Sequence, residues 1–299
     1  MRTKLLMSNP ILVKTGKGKK TLAYHPHLTF LFLKISMTRH TISYPDNKIP
    51  GTKIRIFIGS SIFLICSILS ALIIGGLVLL CLPCPFHIRY KIMGLWPAFI
   101  LWAAKVFCGL HYEVEGMKNI NKHRPTIVLS KHQSAWETVA LRHILPMQTV
   151  LLKRSLLWLP VLGWAMATLK PIAIDRKNQR AALRLLLARG TACLNQGLWV
   201  IIFPEGTRTA PGETRKFNAG GAMLAQKTCY PVVPIAHNAG IYWPRYSFLK
   251  YPGTIKVKIG PVIKSKGRKA ADINAEAEAW ITQAMKEMSA GGEFNGYDP

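Results

Sequence analysis

Acidic residues are what this chain has least of. Its 299 residues carry 13 Asp and Glu against 40 Lys and Arg, a formal charge of +27. The shortage is uneven. Residues 1–112 contain fourteen Lys and Arg and a single acid, Asp46. Such a balance predicts an anionic partner: nucleic acid, anionic lipid or an acidic carrier protein. Cysteines are few for the length: six, at 66, 81, 84, 108, 193 and 229, which make no disulfide framework and suit a reducing cytoplasm. Cys81 and Cys84 have the spacing of half a zinc site, but no second Cys or His pair accompanies them, so no metal is expected. Gly220-Gly221 is neither a Walker nor a Rossmann fingerprint, which argues against a nucleotide. No Gly-x-Ser-x-Gly elbow surrounds Ser134, so it reads as a helix cap rather than a nucleophile. There is no internal repeat.

Long apolar runs, in contrast, are present. Ile56 to Leu82 holds no charge at all. As a helix, those residues would be about 40 Å long, more than the roughly 30 Å of a bilayer core. Lys53 and Arg55 precede the run, and Arg89 and Lys91 follow it, so flanking charge sets no orientation. A second stretch, Met93 to Ala104, contains Pro97 and is too short to span alone; its Trp96 and Trp102 suit an interface. Two arrangements fit. One is a spanning helix followed by an interfacial one. The other, favoured because it moves no basic tail across the membrane, is a hairpin in one leaflet with both ends cytoplasmic. The charge-rich start thus points to lipid rather than nucleic acid.

Composition divides the chain into a basic, disordered tail at 1–52, membrane-associated helices at 53–110, a folded domain at 111–290 and a flexible end at 291–299. Within the tail, Lys14, Lys17, Lys19 and Lys20 could touch anionic headgroups, or the segment could lie upstream of a start at Met37.

From Tyr112 on, apolar runs alternate with amphipathic ones. Strands are expected at Tyr112–Glu115, Thr126–Ser130, Thr149–Lys153, Ile172–Asp175, Val200–Phe203, Val232–Ala236 and Thr254–Ile259. Helices are expected at Lys177–Asn195 and at Asp272–Met288, with Asp272 as cap. The pattern gives the fold class: α/β, a mostly parallel or mixed sheet flanked by helices and preceded by a membrane helix or helical hairpin.

Two segments carry chemistry. After the strand ending at Ser130 comes Lys131-His132-Gln133-Ser134-Ala135-Trp136-Glu137. Imidazole is the side chain best suited to accept a proton near neutral pH. A carboxylate could fix its tautomer and support the imidazolium. On one continuous helix the two side chains would lie about 140° apart and never meet. His132 must therefore precede a helix whose first turn holds Glu137, with Ser134 to Glu137 at capping-box spacing. The second segment is Phe203-Pro204-Glu205-Gly206-Thr207-Arg208. Pro204 ends a strand, Gly206 frees the backbone, and Arg208 offers a planar fork suited to phosphate. Arg176, Arg215 and Lys216 are further basic candidates. His87, His111 and His143 have no motif around them.

These segments resemble the glycerolipid acyltransferase family, and within it the 1-acyl-sn-glycerol-3-phosphate acyltransferases. Lys131 to Glu137 resembles its first block, with Glu137 in place of the commoner aspartate. Ile172-Ala173-Ile174-Asp175-Arg176 resembles the second, Phe203 to Arg208 the third, and Val233-Pro234-Ile235 the fourth. The order and gaps match over about residues 110–265. Lys170-Pro171 stand where that family usually has a glycine, and Ser155 where an acid often follows the basic pair.

The resemblance implies acyl transfer from a thioester to the 2-hydroxyl of lysophosphatidic acid. His132 would be the base and Glu137 its support. Arg176, Glu205, Gly206, Thr207 and Arg208 would bind the acceptor phosphate. A peptide N–H near the helix start would steady the oxyanion, typically worth about 3 kcal/mol. No cofactor is implied; the donor is acyl-CoA or acyl carrier protein. Membrane lipids are the implied partners, nucleic acid is not, and the implied location is a bacterial inner membrane with the site on its cytoplasmic face. Other acceptors (glycerol-3-phosphate, another lysophospholipid, a lipid A precursor) and a non-enzymatic lipid-surface protein are the rival expectations.

Overall fold

A computed structural model describes residues 50–175 and 177–290. The expectations on residues 1–49, Arg176 and 291–299 lie outside the described residues. The described residues begin with two long helices, α1 (Pro50–Leu80) and α2 (Phe86–Cys108). By length and composition both could cross a membrane. They pack closely: a Cβ at Gly59 would lie 2.2 Å from the Phe107 carbonyl oxygen, so no larger residue fits there. The outer side of α1 leaves Phe57, Ile65, Leu69 and Ile73 exposed.

One sequence expectation needs correcting here. The second helix is 23 residues long, not the short apolar stretch alone. It continues through Pro97 and takes in the charged ends that hid it. Arg89 donates to the Thr168 carbonyl at 3.3 Å, and so its charge stays near polar groups.

The rest is a seven-stranded sheet: β1 (Leu110–Glu115), β2 (Ile127–Ser130), β3 (Gln148–Lys153), β4 (Ile172–Ile174), β5 (Trp199–Ile202), β6 (Val232–His237) and β7 (Gly253–Ile259), in the order β1-β7-β6-β2-β5-β3-β4. Every neighbouring pair is parallel except β6 with β7. The mixed sheet expected from the alternating pattern is therefore present. The central strands β2, β5 and β6 are buried on both faces, which is why they read as unbroken apolar runs.

Side chains alternate across the sheet. Val128, Ile201 and Val233 pack with Ile100, Ala104 and Trp136 on the side of α2 and α3 (Trp136–Ile144). Ile127, Leu129, Val200 and Ile202 face the other way, onto α5 (Gln179–Asn195), α6 (Gly220–Thr228) and α8 (Ala270–Ala290). Two short helices, α4 (Leu162–Ala167) and α7 (Ala239–Tyr242), fill loops.

Helix starts differ slightly from expectation. Asn178 caps α5, its side chain accepting from the Ala181 N–H at 3.0 Å, so the helix begins two residues after Lys177. Asp272 lies in the first turn of α8 rather than at its cap. Lys170 explains a departure noted above. Its φ of 56° is left-handed, a conformation that glycine adopts freely and other residues rarely do.

Candidate functional site

The site forms where β2 ends. Parallel strands bring β2, β5 and β6 to a common C-terminal edge, where loops can project side chains. His132 lies just beyond β2 and before α3, with Glu137 in the first turn of α3. His132 Nδ1 and Glu137 Oε1 are 2.7 Å apart. The same carboxylate accepts the N–H groups of Gln133 at 2.9 Å and Ser134 at 2.8 Å. Ser134 Oγ in turn accepts from the Trp136 N–H at 3.1 Å. Ala135 rather than the expected Ser134 stands at the helix cap, one residue later, yet the Gln133 and Ser134 N–H bonds ahead of the helix still aim the carboxylate. They leave the Gln133 and Ser134 N–H groups committed to Glu137, so neither is free for an oxyanion.

Glu137 is fully buried. Burial alone would push its pKa up, but the His237 and His132 imidazoles and the Ser134 N–H together bring it below the ordinary carboxylate value. A charged Glu137 requires the His132 proton at Nδ1. That leaves Nε2 as the free, basic nitrogen. The ring also stacks on Phe203, with centroids 4.2 Å apart and an 18° angle between planes.

The second segment locks this arrangement from behind. The buried Glu205 carboxylate bonds Lys131 Nζ with one oxygen and accepts the His132 N–H at 2.8 Å with the other. Thr209 donates its N–H to the His132 carbonyl at 2.8 Å. Gly206, at φ 70°, makes the turn, and a Cβ there would meet Asn218 Nδ2 at 3.0 Å. Asn218 closes the loop through two bonds to the Pro204 carbonyl, from N–H at 2.9 Å and Nδ2 at 2.8 Å.

Thr207 and Arg208 face one cavity together with His132. The cavity, about 690 Å³, runs under α2 and along β3, where Phe63, Trp96, Ile100 and Leu162 line it. Its wall is mainly apolar, with Arg142, Lys153, Arg208 and Lys250 among the lining residues. The Arg208 carbonyl accepts from Arg245, whose guanidinium also pairs with Glu213 at 3.2 Å. Arg215 pairs with Glu213 at 3.0 Å, and neither Arg215 nor Lys216 borders the cavity. The structure therefore brings His132, Glu137, Glu205, Thr207 and Arg208 to one edge. Glu205 faces Lys131 and the His132 backbone rather than the open cavity. Among the described residues no group of three His, Cys, Asp or Glu converges as a metal site.

Sequence reasoning passed over three contributors. Lys131 and Thr209 work through partners more than seventy residues away, and no local spacing announces them. His237 could have been found. It ends strand β6 as His132 follows β2. It is fully buried, its Nε2 donates to the Lys131 carbonyl at 2.8 Å, and Nδ1 accepts from the Ala239 N–H at 3.3 Å. Burial holds its pKa below the ordinary histidine value, against the opposing pull of Glu137. It is a neutral prop under the loop.

A His–carboxylate pair at a sheet edge, open to an apolar cavity with an arginine beside it, is the frame of a transferase for a fatty group. The family model for Acyltransferase matches residues 111–238. The chain is 48% identical over 209 residues to the 1-acyl-sn-glycerol-3-phosphate acyltransferase of Pseudomonas aeruginosa, covering 69% of this chain and 81% of that protein. It is 31% identical over 174 residues to the human 1-acyl-sn-glycerol-3-phosphate acyltransferase beta, covering 57% and 62%. The crystal structure of the 1-acyl-sn-glycerophosphate (LPA) acyltransferase PlsC from Thermotoga maritima has the same fold, with a TM-score of 0.69 at 24% identity over 80% of this chain and 98% of that one. The chain belongs to the 1-acyl-sn-glycerol-3-phosphate acyltransferase family.

Proposed function

We propose that this protein transfers a fatty acyl group from an acyl thioester to the 2-hydroxyl of lysophosphatidic acid, forming phosphatidic acid for phospholipid synthesis. The observation that carries the reading is the shared cavity. His132 and Arg208 open onto one space, and that space runs to the apolar helices α1 and α2. A lipid acceptor needs these three features together: a base for its hydroxyl, a cation for its phosphate and an apolar channel for its chain.

In this reading His132 Nε2 removes the proton of the 2-hydroxyl. Charged Glu137 stabilises the imidazolium that results. The alkoxide oxygen bonds to the thioester carbonyl carbon, giving a tetrahedral intermediate. Collapse breaks the carbon–sulfur bond, and His132 returns its proton to the departing thiolate. No side chain of the protein is acylated. Arg208 binds the acceptor phosphate with the Gly206–Thr207 turn, and Arg176 supplies a second contact. Glu205 acts through that loop by holding Lys131 and the His132 N–H in place.

The donor is acyl-CoA or acyl carrier protein; a net charge of +27 favours an acidic carrier or an anionic surface. The exposed apolar side of α1 and the basic flanks fit association with a bacterial inner membrane, with the site on the cytoplasmic face where the thioesters are made.

The test is a panel. Purified full-length protein is offered lysophosphatidic acid, glycerol-3-phosphate, a lysophospholipid with a larger headgroup and a lipid A precursor, each with acyl-CoA and with acyl carrier protein. Phosphatidic acid should be the main product. Transfer only to another acceptor would reassign the substrate, and no transfer to any acceptor would return the chain to a lipid-binding role.

A further inference from the structure

Among the described residues two lysines are buried, and they are treated differently. Lys131 has a carboxylate, Glu205. Lys250 is equally buried, at 6% exposure, but no described carboxylate lies within ion-pair distance of it. Its ammonium donates to the carbonyls of Ser247 at 3.0 Å and Phe248 at 2.7 Å, and lies 5.0 Å from the centre of the Trp243 ring. Carbonyl dipoles and a π face solvate a cation without cancelling its charge. A buried charge left without a counter-ion is costly, so proteins rarely keep one without a use for it.

The location indicates the use. Lys250 lines the same cavity as His132 and Arg208. One loop, residues 243–250, serves both cations: Arg245 bonds the Arg208 carbonyl, and Lys250 ends the loop. The loop is fixed against the apolar helices, since the Lys250 N–H donates to Ser60 Oγ of α1 at 2.9 Å and Phe248 packs on Phe57 with ring centroids 5.7 Å apart. The ammonium thus shares its cavity with His132 and Arg208 beside the apolar helix α1.

We propose that Lys250 binds the phosphate of the lipid acceptor, forming with Arg208 a two-cation site for a phosphate monoester. The inference rests on the acyl-transfer reading above and adds a residue that its motifs do not contain. Burial lowers the Lys250 pKa to about 8, which leaves the ammonium mostly charged at neutral pH. Ser247 and Phe248 occupy two of its three donors, and the third is available to a phosphate oxygen.

The experiment uses full-length K250Q and K250M in detergent or vesicles, with wild type and H132A beside them. Lysophosphatidic acid is varied at saturating donor, and then the donor at saturating acceptor. Gln keeps two N–H donors on a side chain one bond shorter, and lacks both the charge and the third donor. K250Q should raise KM for lysophosphatidic acid about tenfold, more than it lowers kcat, with KM for the donor unchanged. K250R should restore part of the loss. An unchanged acceptor KM in folded K250Q overturns the proposal. So does a rise confined to the donor, which would assign the cation to donor phosphates. If K250M fails to fold, K250Q and K250R decide on the same readout. Wild-type transfer and its loss in H132A test the underlying reading separately, so the two failures are distinguishable.

Discussion

Two neighbouring residues each bond a buried carboxylate, and the two pairs were built in opposite ways. His132 finds Glu137 five residues along the chain; Lys131 finds Glu205 across 74 residues. The first pair depends on local geometry alone: a strand end, a capped helix, a carboxylate in the first turn. The second depends on two parallel strands, β2 and β5, lying side by side. The local pair holds the His132 ring. The distant pair holds the backbone that carries that ring, through the bond from the His132 N–H to Glu205. Ring and scaffold contacts thus sit one residue apart and are separable by mutation.

The largest effect should come from the local pair. Glu137→Gln keeps the shape but removes the charge that fixes the tautomer. It should cut kcat on the order of 10²- to 10³-fold with the fold retained, checked by kinetics beside a thermal melt. A stable, fully active E137Q would reduce Glu137 to a helix cap.

The distant pair should break differently. Lys131→Met strands a buried carboxylate and should cost about 3–5 kcal/mol of stability. Combining it with Glu205→Leu removes both charges and should recover most of that stability. Activity should stay low in the double variant, because the His132 N–H has lost its acceptor. If the double variant regains wild-type kcat, the Glu205 bond does not position the base.

A smaller effect lies in the pH dependence of stability. His237 is buried with a lowered pKa, so the unfolded chain gains a proton that the folded one refuses. Its contribution is lost as pH falls below about 6.5. Glu137 also has a lowered folded-state pKa, and its contribution is lost only below about pH 4.5, where the unfolded carboxylate protonates. Denaturant unfolding across pH should show two stages. His237→Gln should flatten the upper stage and, by removing one of the imidazoles that hold the Glu137 pKa down, move the lower one to higher pH; a profile that H237Q leaves unaltered would contradict the assignment.

The same contrast shows what the sequence could tell. Each of the seven strands was legible: β2, β5 and β6, buried on both faces, leave runs such as Trp199-Val200-Ile201-Ile202, while edge-side strands such as β1 and β7 alternate buried with more exposed positions. The His132–Glu137 pair was legible in part: helix pitch excluded only a meeting on one continuous helix, and the resemblance to the acyltransferase blocks supplied the pairing. Partners such as Lys131–Glu205, Thr209 with His132 and Lys250 with Ser60 were not, since only the strand order decides which distant residues meet. The second helix was underestimated because charges at its ends broke the apolar count while the backbone continued. Arg208 was picked for its chemistry, but its place on the cavity wall required the fold.

The central claim is that one imidazole does the chemistry while a guanidinium in the same cavity holds the substrate. The most direct test measures kcat and KM for lysophosphatidic acid in H132A and R208A side by side. The account predicts that H132A still binds the lipid and loses turnover by about 10³-fold or more, while R208A raises KM more than it lowers kcat. Turnover surviving in H132A, or R208A losing kcat with KM unchanged, would contradict it.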